Sequence, residues 1–119
     1  MTKKEYMQEI SNIAIKSKKV DKLHFLYSFA LPNVIERIVS FSKNSVFFDD
    51  NTRVLSFDEI ITAQRDLQID FADRGLIPLF DCGDNDFIVY NFKECFWAMF
   101  NIVDETVFKK RNSIEEVLF

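Results

Sequence analysis

The densest group of reactive side chains in the sequence is Asp81-Cys82-Gly83-Asp84-Asn85-Asp86. Carboxylates around a glycine suggest a calcium loop. An EF-hand loop, however, takes glycine at its sixth position and a bidentate glutamate at its twelfth. Here Gly83 is third, and the twelfth residue counted from Asp81 is Phe92. The segment reads instead as a tight turn with water-facing acids, or as the rim of a partner-binding surface. The single histidine, His24, lies in an apolar stretch and reads as a hydrogen-bonded core or edge residue. A nucleophile needs a base and a third group to orient that base, and no such set can be drawn through His24. Cys82 and Cys95 are two thiols where a structural zinc site takes four ligands. With Gly75 and Gly83 as its only glycines, the chain has no glycine-rich phosphate loop. The sequence therefore points to no enzyme, no metal and no cofactor.

The length of 119 residues suits one domain, taken as residues 1–119, large enough for one core. Fourteen phenylalanines, mostly inside apolar runs, are expected to fill that core. The longest apolar run, Leu23 to Leu31, is far short of the roughly 20 residues a spanning helix needs. No secretory leader is visible, and two cysteines form no disulfide framework. A cytoplasmic protein with free thiols is expected. The net charge of −4 hides an asymmetry. Residues 1–22 hold six lysines against three acids, whereas residues 49–105 hold thirteen acids against four basic residues. Such an acidic stretch repels phosphates, which argues against nucleic acid, and favours a basic partner.

Elements follow from period and capping. Thr2 and Glu5 fit a capping box, and Met7, Ile10, Ala14 and Ser17 continue a helical stripe to about residue 17. Leu23 to Leu31 fits strand and helix alike. Pro32 opens a helix with Val34, Ile35, Ile38 and Phe41 inward, ending near Ser42 to Asn44. Val46-Phe47-Phe48 and Arg53-Val54-Leu55 flank a turn at Asp49 to Thr52. Ser56 and Glu59 cap a helix expected to run to Ala72, with Gly75 as its stop. Leu76 to Phe80, Phe87 to Phe92 and Phe96 to Ile102 read as strands, and Val107-Phe108 adds a short one. A third capping box, Ser113 to Glu116, opens a closing helix. Short turns imply antiparallel pairing. The expected class is α+β, a central antiparallel sheet with helices packed on one face. Trp97 is expected in the core; Tyr90 suits a core or an interface equally.

Several runs resemble the SUKH family. Ala30-Leu-Pro-Asn-Val-Ile-Glu36 is similar to the Leu-Pro that opens the family's second helix. Arg53-Val-Leu-Ser-Phe-Asp-Glu-Ile-Ile61 resembles its strand leading into an acidic-capped helix. Gly75-Leu-Ile-Pro-Leu-Phe-Asp-Cys-Gly-Asp-Asn-Asp-Phe-Ile-Val-Tyr90 resembles its most distinctive stretch, a strand, a Gly/Asp turn and an aromatic-rich strand. Ser113-Ile-Glu-Glu-Val-Leu118 looks like its closing helix. The likeness covers about residues 30–118. It departs at Lys43-Asn44-Ser45, where the family commonly has Asn-Gly, and at Asn85, often a glycine there.

The resemblance implies a compact, non-catalytic α+β domain. Many members are immunity proteins that bind and neutralise polymorphic or contact-dependent toxins, often nucleases. Others are regulatory or adaptor domains, and that is the alternative here. The expected partner is a basic protein toxin, with no direct nucleic acid and no membrane. The chain itself is expected to be a monomer or weak dimer. The expected partner-binding residues are Asp49, Asp50, Asp81, Asp84, Asp86, Tyr90, Asp104 and Glu105.

Overall fold

The computed structural model describes residues 1–27, 31–41 and 46–119. Its elements run α1 (Lys3–Ser11), α2 (Ser17–Leu26), α3 (Asn33–Phe41), β1 (Val46–Phe47), β2 (Arg53–Val54), α4 (Phe57–Leu67), α5 (Phe71–Arg74), β3 (Leu76–Gly83), β4 (Asp86–Asn91), β5 (Phe96–Asn101), β6 (Thr106–Arg111) and α6 (Ile114–Leu118). The six strands form one sheet in chain order, each antiparallel to the next. The class is α+β, as the sequence implies.

Capping sets the helix starts. Thr2 Oγ1 accepts from Glu5 N and Ser56 Oγ from Glu59 N, and each glutamate returns a bond to its cap's own N–H. Each such cap contributes about 1 kcal/mol. The first helix is shorter than expected. It ends at Ser11, where the Arg37 guanidinium caps the carbonyls of Ile10 and Ser11. Lys16 N then donates to the buried Ser40 Oγ at 2.9 Å, a link across 24 residues that no local period announces. Ala14 and Ser17 are consequently exposed, outside α1. The ambiguous run from Leu23 is helical as far as Leu26, with residues 28–30 outside the described part. The expected end of α3 at Ser42 to Asn44 also lies outside it.

The helix expected from Ser56 to Ala72 is divided. Gln68 turns left-handed (φ 57°), and Asp70 caps the short α5 by accepting from Asp73 N. The break lets both Ile69 and Phe71 enter the core. Gln64 Oε1 accepts from Ala72 N at 2.7 Å and holds the corner.

The helices cover both faces of the sheet rather than one. Side chains directly opposite across an antiparallel pair share a face, and successive residues alternate. Phe80 pairs with Ile88 and Phe100 with Phe87, so Phe80 and Phe100 lie on opposite faces. Tyr6 of α1 meets Phe80, Phe48 and Phe41 edge-on at 5.3–6.0 Å. On the other face Phe71 of α5 meets Phe100 at 5.9 Å. This explains why Leu76 to Phe80 and Phe87 to Tyr90 are unbroken apolar runs rather than alternating ones: every side chain there is buried. Burying each such side chain contributes about 1.5–3 kcal/mol. Trp97 is buried, as expected.

Candidate functional site: an acidic end of the sheet

Because the strands alternate in direction, the β1–β2, β3–β4 and β5–β6 turns emerge at one end of the sheet. These three turns and the adjoining strand ends carry Asp49, Asp50, Asp81, Asp84, Asp86, Asp104 and Glu105. Residues spread over 57 positions of sequence therefore share one rim.

Each turn has its own local cause. In the first, Asp50 Oδ1 accepts from Thr52 N at 3.0 Å, and Asn51 is left-handed. In the second, Gly83 pairs with Asp86 around Asp84 and Asn85, both at positive φ (52° and 66°). That is the backbone of a type I′ hairpin, which Asp and Asn tolerate. The strands thus run further than expected, and Asp81 and Cys82 belong to β3 rather than to a six-residue turn. In the third, Asn101 Oδ1 accepts from Val103 N and Asp104 N at 2.9 and 3.0 Å. The second and third turns are joined. Asn101 Nδ2 donates to Asp86 Oδ1 at 2.9 Å, and Ile102 N to the Asn85 carbonyl at 3.0 Å.

The rim acids divide into two sets. Asp50 pairs with Lys3 at 2.6 Å, Asp81 with Arg53 at 3.3 Å and Glu105 with Arg74 at 2.6 Å. Arg53 also holds Glu59 through two bonds of 2.6 and 2.8 Å, which ties α4 to the rim. The Lys3 ammonium, helped by the Thr52 N–H, holds the Asp50 carboxyl down at about 2. By contrast, Asp49, Asp84, Asp86 and Asp104 have no cation within ion-pair distance among the described residues. Asp49, Asp84 and Asp104 are exposed. Their charge is left facing solvent.

Tyr90 does not join this rim. It pairs with Ile77 and Trp97 toward the other end of the sheet and is 5% exposed. Its ring packs on Trp97 at 5.1 Å. Burial, and then a hydrogen bond from the phenol to the neighbouring Cys95 sulfur, push its phenol up to about 12. It lines a cavity of about 280 Å³ with Cys95, Trp97 and Ile114. Sequence reasoning missed Glu59, Asn85 and Asn101 as parts of the acidic end. The Asn-Ile-Val-Asp pattern at 101–104 was the available signal for Asn101, since Asn side chains cap turns two residues on.

Cys82 is half-buried, and burial pushes its thiol up to about 11; Cys95 is exposed. No group of three or more His, Cys, Asp or Glu suited to a metal ion occurs among the described residues. No described helix is long and apolar enough to cross a membrane.

No family model, curated protein or solved structure matches this chain. Fold and site together define an α+β domain that presents a rim of carboxylates on three aligned hairpin turns.

Proposed function

We propose that this protein is an immunity protein of the SUKH type. It binds a cognate toxin domain, with nucleases the leading class, and neutralises it by occlusion. The observation that carries the reading is the gathering of unneutralised Asp49, Asp84, Asp86 and Asp104 on one end of the sheet. A nuclease keeps basic side chains to hold phosphate, and a hydrogen-bonded carboxylate rim complements that surface. The sequence resemblance adds the toxin, which charge alone does not specify. A standard interface of about 1,600 Å² would take in the rim and its flanks. Opposite charge accelerates encounter most at low salt.

The test is calorimetric titration with an inactivated form of the protein encoded beside this chain's gene. The expected result is a one-to-one complex with Kd of about 1 nM or below. The informative variant combines Asp49→Lys, Asp84→Asn and Asp104→Lys. Asn keeps the left-handed turn that a lysine at position 84 would strain. Association is expected to slow about 10-fold or more at low salt, with an unchanged unfolding midpoint. Unchanged association would remove the rim from the binding face. No binding at all would sink the pairing and favour an adaptor domain with a cellular partner.

A further inference from the structure

The last strand, β6, forms one edge of the sheet, and all six of its residues are exposed. An open edge offers a row of backbone N–H and C=O groups to another strand. The side chains along it are ordered by charge. Asp104 and Glu105 lie in the turn before the strand, Thr106, Val107 and Phe108 form its first half, and Lys109, Lys110 and Arg111 its second. Val103, Val107 and Phe108 are large apolar residues left exposed there.

A sequence that runs from acid through apolar to base is complementary to itself when two copies pair antiparallel. A two-fold axis keeps each residue on its own face of the sheet, so Val107 lies opposite Val107 of the other copy, and the acidic turn at Asp104-Glu105 of each copy comes beside the Lys109–Arg111 end of its partner, twice over by symmetry. Parallel pairing would stack acid on acid and base on base. Opposite charges across a strand pair are favourable and like charges unfavourable.

We propose that β6 is a self-association edge, and that its partner is the β6 of a second copy related by a two-fold axis. The bulge at Lys109 (φ 53°), where β6 gains one residue on β5, limits the straight stretch to Thr106–Phe108. Lys109 Nζ also reaches back to the Val117 carbonyl at 3.5 Å and Lys110 Nζ lies 5.0 Å over the Phe96 ring, so Arg111 is the principal cation for the partner, with Lys110 contributing its field. So short a pairing buries far less than the roughly 1,000 Å² of a stable interface, and the dimer is accordingly weak. The inference stands on the edge and its charges and not on the proposed toxin.

The experiment is sedimentation velocity of the full chain from about 5 to 500 µM, since mass action reveals a weak dimer only at high concentration. The sedimentation coefficient is expected to rise with concentration toward a dimer, and less so in high salt. Two charge-reversed variants, D104K/E105K and K110E/R111E, are each expected to remain monomeric. Mixed one to one, they should associate again, because the mixture restores acid against base. Circular dichroism checks that both variants are folded. Because Glu105 also bonds Arg74, the single variant Asp104→Lys provides a second acid-side reading. A monomer at every wild-type concentration overturns the proposal. So does dimerisation that survives either double reversal.

Discussion

The turns at 91–96 and 101–106 are built alike and placed differently. Each begins with an asparagine whose Oδ1 accepts from the N–H groups two and three residues on, at 2.8–3.0 Å. In each, the next residue donates its N–H to the residue just before a neighbouring strand, Phe92 to the Gly75 carbonyl and Ile102 to that of Asn85. Each ends with a left-handed residue, Cys95 at 60° and Glu105 at 56°. Yet they sit at opposite ends of the sheet. Phe92 is buried and meets the Tyr27 ring at 5.9 Å, whereas its counterpart Ile102 is only half-buried. Identical local chemistry thus yields a packed closure at one end and a solvent-facing acidic rim at the other. The difference lies in the surroundings. Around the first turn, Tyr27, Tyr90 and Lys93, whose Nζ donates to the Asp73 carbonyl at 2.6 Å, take up the available contacts. Around the second, charges remain unspent.

The largest expected effect is alkaline. Burial raises the phenols of Tyr27 and Tyr90, which flank the packed turn, and of Tyr6 in the core. Unfolded tyrosine ionises near 10, so above that pH the unfolded state binds fewer protons than the folded one. Stability therefore begins to fall near pH 9, through the buried Cys82 thiol, and above about pH 10 each tyrosine removes about 1.4 kcal/mol more per pH unit. Denaturant titrations at pH 8 to 11.5 should show the loss. Tyr27→Phe should reduce the slope above pH 10 by about a quarter to a third, and an unchanged slope would deny Tyr27 its place against Phe92.

The paired asparagines give a direct contrast. Asn91→Ala should cost about 2 kcal/mol, because it empties a buried position and leaves two turn N–H groups without their acceptor. Asn101→Ala should cost about 1 kcal/mol or less, since water reaches its turn. Equal losses in urea unfolding would break the comparison. Smaller again, Cys95→Gly should relieve a left-handed residue and stabilise by up to about 1 kcal/mol. The matching Glu105→Gly should gain less, because it forfeits the Arg74 ion pair. Thermal unfolding of the two variants separates them.

The smallest effect belongs to acid. Asp50 is held below its unfolded value by Lys3, so its contribution is present above about pH 4 and is lost as pH falls toward 2. Its side chain is half exposed, which limits the effect to a few tenths of a kcal/mol. Lys3→Met should flatten that part of the pH–stability curve by the same small amount.

Elements with a local cause were legible. The capping boxes at Thr2 and Ser56, the strand runs from Leu76 onward and the acidic turns all depend on residues within four positions of one another. The α+β class followed from them. What failed had a distant cause. The first helix was read as far as Ser17 because its stripe continues, but Arg37 closes it at Ser11 from 26 residues away. The break at Gln68 reflects the need to bury Ile69 and Phe71 together, and the residue itself gives little warning. Helices on one face were expected, although the unbroken apolar runs of β3 and β4 already implied two. The candidate site was legible as a set of acids and not as a place: Tyr90, close in sequence to the Asp81–Asp86 stretch, turned out to belong to the other end.

By itself, then, the sequence determined which residues turn, cap and alternate, and how much charge the loops carry. Those properties are set by backbone sterics and by side-chain hydrogen bonds over a few residues. Only the tertiary structure decided which loops face the same way. Strand order and direction depend on contacts between residues dozens of positions apart, and they bring Asp49, Asp84 and Asp104 to one rim while carrying Tyr90 away from it. It also decided which rim acids have a cation partner among the described residues, because Lys3, Arg53 and Arg74 reach some of them and not others.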